Sequence, residues 1–522
     1  MTSAVISRVT PGVQTSRVFR IRGQRARWRY PHDRLAPENC TVLQNVNLSE
    51  RGTAESRAGY DYYNSTVLSG GEAVVGLYEA TFAAGTTKRV VVTPTKVYTD
   101  TGSARVNITG SALTGAADNL CQFVFLKDQV VFNNTVDAPR VWAGDDTTPT
   151  NTAALSGIPF TAAVGMMTHQ NLLVFAGTTE SGVYYPTRLR WCDISRTTYT
   201  VDITSWPTAN RYEIYDGGPK IIGCVDNWGT AFIFKEDGVY PGHIQYDQLG
   251  HYDFRLDEPR RGFTPVSRMS LVARPEFVFG AAREGLFVVT PDLSVRIVNS
   301  DDVNTWLALN QGRWQYSQAF VREKDHQVRL LCSASGNTTG HDKILVWDWE
   351  TDDVWLDVPK DKMNFGAIVM VANEDLDWLG SLAGYLYQGN KSTYTSDAGA
   401  QFSWRIKMAP NDLGFPGTDK LVINIKTIYR KRSGSQTVNF QCSIDEGQQG
   451  PIKDTLTLRA GYRWNTGVKW NSGKKWPSSG VRPLDTYINR VCTTIEPEWY
   501  SDFSANIEGY QVEFVPLEGM GE

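Results

Sequence analysis

The chain has 522 residues, 41% of them hydrophobic and 21% charged, with a formal net charge of -4. That length exceeds one ordinary hydrophobic core and predicts two or three domains, and the balanced composition excludes disordered and fibrous classes. The slight net acidity argues against a dedicated nucleic-acid binder. The aromatic load of 16 Trp, 23 Tyr and 21 Phe, together with 46 Gly, suits half-buried strands joined by tight turns and predicts an all-β protein.

In chain order, the start Met1-Thr-Ser-Ala-Val-Ile lacks the apolar stretch of a secretory signal. No run of eighteen apolar residues follows anywhere, so neither export by that route nor a membrane span is expected. Residues 1–36 read as an extended basic arm: Arg8, Arg17, Arg20, Arg22, Arg25, Arg27, Arg29 and Arg34 share the segment with a single acid, Asp33. Such a segment is expected to lie on an acidic partner rather than fold alone. A neighbouring protein surface is favoured over DNA or a solvated tail, with Arg20, Arg22, Arg25, Arg27, Trp28 and Arg29 as the interface candidates.

Residues 37–390 repeat one theme, a short apolar strand, a polar turn and a second strand carrying Trp or Tyr. Examples are Phe123-Val-Phe-Leu-Lys-Asp-Gln-Val-Val-Phe132 followed by Arg140-Val-Trp142, and Ala231-Phe-Ile-Phe-Lys-Glu-Asp-Gly-Val-Tyr240. Phe277 to Val289, Val328 to Cys332 with Lys343 to Trp349, and Asp377 to Tyr387 continue it. Recurrence at roughly fifty residues is the period of a four-stranded propeller blade, so six or seven blades are predicted. Stacking blades around one axis buries both faces of hairpins that could not cover themselves.

Beyond residue 390 the period breaks. Alternation in Lys420-Leu-Val-Ile-Asn-Ile-Lys-Thr-Ile-Tyr429 and Thr437-Val-Asn-Phe-Gln-Cys-Ser-Ile444 marks strands with one buried face, and residues 391–522 read as a C-terminal β-sandwich. Within it Trp464, Trp470 and Trp476 alternate with Asn, Gly and Lys. This turn-rich loop is an expected docking surface, with packing under the sandwich and sugar stacking as the other readings.

Catalytic and metal-binding patterns are missing. The seven cysteines lie far apart with no Cys-x-x-Cys pair, which reads as buried free thiols in a reducing compartment. The six histidines are scattered, and no zinc, phosphate-loop or nucleophile-elbow motif occurs, so no catalytic residue, metal site or cofactor is expected. The acidic clusters Asp301-Asp302, Asp352-Asp353 and Glu374-Asp375 with Asp377 read as solvated turns, because neighbours on a strand face opposite ways, with catalytic carboxylates or a calcium turn as the other readings. Ser300-Asp-Asp-Val-Asn-Thr-Trp306 approaches the sialidase repeat but is one residue short and lacks its Gly.

Taken in order, several segments resemble the tail nozzle proteins of podoviruses, the short-tailed bacteriophages, also described as phage stabilisation or tail-hub proteins. They are Pro37 to Leu48 leading into Arg51 to Tyr60, with Asn45, Gly52, Arg57 and Gly59 in the matching places; Phe132 to Trp142; Gln170 to Gly177 with Arg188-Leu-Arg-Trp-Cys-Asp193; Phe234 to Tyr240; and Val346 to Trp355. The resemblance spans about Pro37 to Asp397 and leaves the arginine-rich start unmatched. It implies a structural virion protein of the phage tail, assembled in the bacterial cytoplasm. It also implies a hexameric ring below the head-to-tail adaptor, which encloses the DNA exit channel without sequence-specific binding, docks tail fibres or spikes, and carries out no catalysis. A propeller glycosidase, or a carbohydrate-binding receptor module at the tail tip, is the rival expectation.

Overall fold

A computed structural model describes residues 13–23, 36–49, 53–68, 70–146, 151–194, 200–215, 218–246, 252–298, 308–371, 374–389, 391, 393–430, 436–458 and 481–517. Among the described residues, helix is confined to the 3-10 turns Arg268–Ser270, Gln311–Tyr316 and Asp445–Gly447. The rest of the regular structure is strand. The chain folds into two compact units, and each recruits separate stretches of sequence.

The larger unit comprises the described residues of Ala58–Asp352 and Val358–Gly399. Its sheets follow one another as up-and-down blades whose innermost strands are Gly76–Thr81, Gln122–Leu126, Ala162–His169, Ile221–Asn227, Val272–Ala273, Gln318–Arg322 and Met363–Val371. Each innermost strand touches the next, and the seventh touches the first. The circle therefore closes and the protein is a seven-bladed β-propeller, the upper of the two expected blade numbers.

Closure comes from a clasp. Strand Tyr60–Asn64, which precedes blade 1 in sequence, pairs antiparallel with Leu386–Gly389 of blade 7, in the register Asn64 to Leu386 and Tyr60 to Gly389. A stack of sheets thus becomes a ring through backbone hydrogen bonds between distant segments.

Local sequence explains the hairpins. Lys127-Asp128, Gln170-Asn171, Ser181-Gly182 and Trp228-Gly229 each form a two-residue loop, and both residues of each have positive φ. That is the mirror-image turn whose twist matches the right-handed twist of the flanking strands. Between blades the packing is close. Gly366 faces Phe320 so tightly that a Cβ there would sit 2.5 Å from the ring, and one on Gly380 would sit 2.3 Å from Val74. Amide side chains join neighbouring blades as well. Gln318 Nε2 donates to Gly366 O at 2.9 Å while its Oε1 accepts from Gly366 N at 2.8 Å, and Asn364 Nδ2 donates to Val74 O at 2.9 Å. Trp142, Trp191, Trp347 and Trp378 are wholly buried; burial of one large aromatic stabilises by about 1.5–3 kcal/mol.

The second unit comprises the described residues of Met1–Arg57, Asp353–Asp357 and Ala400–Glu522. One sheet runs Val46–Leu48, Ala54–Ser56, Asn506–Pro516, Lys420–Arg430, Val481–Cys492, with Gln14–Thr15 also paired to Asn506–Pro516. The facing sheet runs Asp353–Asp357, Cys40–Gln44, Trp404–Met408, Ile495–Ser501, Gln436–Ile444, Gln449–Leu458. Alternating inward residues join the layers: Trp499 Nε1 donates to Thr427 Oγ1 at 2.9 Å, and the Trp499 and Tyr510 rings lie 5.8 Å apart. This is a β-sandwich, built from both ends of the sequence. That interleaving is absent from a linear division at residues 36 and 390.

Candidate functional site

The described part of the arm, residues 13–23, lies on the sandwich of its own chain. Val18-Phe-Arg-Ile-Arg-Gly23 alternates, with Phe19, Ile21 and Gly23 buried and the arginines outward. Phe19 N donates to Tyr510 O at 2.8 Å and its ring stacks on Tyr510 at 5.0 Å. Arg20 reaches Glu508 at 3.6 Å and Arg22 reaches Asp353 at 3.9 Å, their side chains remaining 50% and 49% exposed. These two predicted interface residues thus have acidic partners within the chain, in half-solvated pairs that contribute at most about 1 kcal/mol each. Arg25, Arg27, Trp28, Arg29, Trp464, Trp470 and Trp476 lie outside the described residues.

The residues behind the phage-tail resemblance carry the architecture. Asn45 sits at φ 54; its Oδ1 accepts from Arg57 Nε at 3.0 Å, its Nδ2 donates to Ser403 O at 2.6 Å, and the Arg57 guanidinium lies 4.0 Å over the Phe402 ring. Gly59 leaves no room for a side chain, since a Cβ would meet Ser396 O at 2.1 Å. Arg140 is buried and ties its blade to the preceding connection, donating to Thr109 O at 2.7 Å and Ala112 O at 3.2 Å. Arg188 and Arg190 both bind Glu180 at 2.8 Å. Tyr240 Oη donates to Asp237 at 2.9 Å across the hairpin turn, and Trp347 Nε1 donates to Asp352 at 3.0 Å.

Groups with catalytic potential are similarly engaged. His169 is fully buried; its Nδ1 lies 2.5 Å from an Asp226 carboxylate oxygen, and its Nε2 accepts from Ile244 N at 3.1 Å. An imidazole with both nitrogens occupied holds blades together and has no lone pair left for a substrate proton. Asp377 departs from the expected solvated turn, being only 4% exposed. In the strand Glu374–Ser381 every residue from Leu376 onward is buried, Asp377 among them. There Arg322 clasps it with both a 3.2 Å contact from Nε and a shorter one from Nη2, and Arg329 approaches to 3.4 Å. Asp352 pairs with Arg296 at 2.8 Å. Ser300 to Trp306, including Asp301 and Asp302, lies outside the described residues. Among the described residues no group of three or more His, Cys, Asp and Glu is placed to hold a metal ion.

The propeller unit has an open recess. A cavity of about 380 Å³ lies where the inner strands of blades 3 and 4 begin, with walls from Val164, Tyr184, Lys220, Arg268, Trp314 and Gln315 among others. Arg268 donates from Nη1 to Val164 O at 3.4 Å and from Nη2 to Leu120 O. Desolvation pulls its pKa down to about 10, the nearby Cys121 acting the other way. Lys220 meets Glu236 at 3.4 Å at the rim. Nothing in the sequence pointed here, because Lys220, Arg268 and Gln315 sit on three different blade connections.

No family model and no curated protein matches the chain. Among solved structures the chain is similar to the Neurospora crassa Pan2 WD40 domain, at 10% identity and TM-score 0.39, over 67% of this chain and 100% of that one. It is also similar to U3-55K, at 8% identity and TM-score 0.37, over 64% of this chain and 100% of that one.

Proposed function

We propose that this chain is a structural subunit of a short-tailed bacteriophage tail, a nozzle protein that assembles as a homo-oligomeric ring, hexameric by the family resemblance. The ring sits below the head-to-tail adaptor, encloses the path of the exiting DNA and offers its outside to fibres or spikes. The observation that carries this reading is the role of the residues behind the resemblance. Asn45, Arg57, Gly59, Arg140, Trp347 and their partners all serve packing or hydrogen bonding within the fold. A sequence signature made of such residues belongs to a protein whose product is shape.

The internal pairing of His169 and Asp377 supports a non-catalytic role over a propeller glycosidase. A closed ring of blades is stiff, and a ring of subunits needs two different patches per copy that meet around a rotation axis. The test is mass measurement of the purified full-length chain by light scattering, together with mass spectrometry of purified virions. A ring-sized species and a stoichiometric virion component are the expected results; a monomer absent from particles overturns the proposal.

A further inference from the structure

We infer that the recess at the propeller mouth binds a small ligand carrying an oxyanion, a carboxylate or a phosphate group, held by Arg268 with Lys220 at the rim. Such binding is independent of the virion role proposed above.

A guanidinium such as that of Arg268 has five N–H donors and cannot be deprotonated in a protein near neutral pH. Two of the five point to the carbonyls of Val164 and Leu120. Carbonyls orient the group but do not neutralise it, and no carboxylate among the described residues forms an ion pair with it. A partly buried cation without a counter-charge is costly, and an anion entering the recess would offset that cost.

The walls narrow the choice. Glu236 is the one acid among the lining residues, and it is paired with Lys220, whose side chain stays 53% exposed at the rim. Tyr184 and Trp314 add aromatic surface, while Gln311 and Gln315 add amides that can meet hydroxyl groups. At about 380 Å³ the recess falls at the small end of ligand sites. It suits one acidic sugar or one phosphorylated group, and not a folded peptide or a nucleic-acid strand.

Isothermal titration of the full-length chain at low ionic strength tests this, with sodium glucuronate, inorganic phosphate and uncharged glucose as probes. At least one anion is expected to bind with Kd of about 1 mM or tighter, and glucose not to bind. Preference for glucuronate assigns an acidic sugar, and preference for phosphate a phosphorylated ligand. Lys220→Glu, a rim change that leaves the fold intact, is expected to weaken binding about tenfold by reversing one charge, and Arg268→Gln to abolish it. Should Arg268→Gln fail to fold, Lys220→Glu decides. Absence of binding by both anions, equal binding of glucose, or unchanged affinity in Lys220→Glu overturns the inference.

Discussion

Replacing Asp377 by Asn removes one negative charge from the interior while keeping volume and shape. Arg322 and Arg329, with side chains 2% and 6% exposed, then keep their charges with far less compensation. Arg322 retains Asp325 at 3.1 Å, which is itself 34% exposed, and each arginine also keeps its contact with the amide oxygen of Gln327. At the 3.4 Å separation of Arg329 and Asp377, one unit-charge pair is worth about 5 kcal/mol at an effective dielectric of ~20. Breaking a buried pair by removing one partner costs about 3–5 kcal/mol in measured cases, so that is the expected destabilisation. Urea unfolding followed by the fluorescence of the buried tryptophans reads it as a midpoint lowered by about 1 M or more. The triple change Arg322→Met, Asp377→Leu, Arg329→Met removes both signs together and should recover most of that loss. A midpoint for Asp377→Asn within about 0.2 M of the parent, or a triple variant less stable than the single one, refutes the reasoning.

Gly366→Ala should cost about 1–3 kcal/mol, because its Cβ would press on Phe320 at 2.5 Å; a thermal midpoint equal to the parent's contradicts the close blade approach. Burial, with Arg313 alongside, holds His341 down at about 4. Since this lies below the unfolded value of about 6.5, the unfolded chain takes up the proton first. Stability is then unaffected above pH ~6.5 and declines as pH falls toward 4, by at most about 3 kcal/mol. Urea midpoints at pH 7 and pH 5 should differ less in His341→Asn than in the parent. All seven cysteines are free and buried, and desolvation pushes Cys121, Cys192, Cys224, Cys332 and Cys492 up to about 12. A thiol reagent at pH 8 should label none of the seven in the native chain and all of them in guanidinium.

The repeating hairpins were legible because short apolar runs and polar turn residues are local signals, and Phe123 to Phe132 or Ala231 to Tyr240 display both within ten residues. Their spacing limited the blade number to six or seven, and the closed circle of inner strands fixes it at seven. Strand partnership was not legible where it depends on distant register. Cys40–Gln44 and Asp353–Asp357 are ordinary short strands, and nothing within either says that the first pairs with the second on one side and with Trp404–Met408 on the other. In the arm, the count of arginines hid the alternation of Phe19, Ile21 and Gly23, which is a strand signal. Asp377 looked like part of an acidic turn because its two arginine partners come from another blade. The cavity around Arg268 is lined from several blades and their connections, which no local pattern brings together.

The clasp strand has a consequence for how this polypeptide is made. As it leaves the ribosome, Tyr60–Asn64 must stay unclaimed while six blades form behind it, until Leu386–Gly389 arrives to receive it. The sandwich waits longer still, since its early strands need Ile495–Ser501 and Asn506–Pro516. Interrupted translation therefore yields chains with an unsealed seam and bare sheet edges, which chaperones and proteases recognise. Finished molecules alone can hide both, so closure acts as a check on completeness.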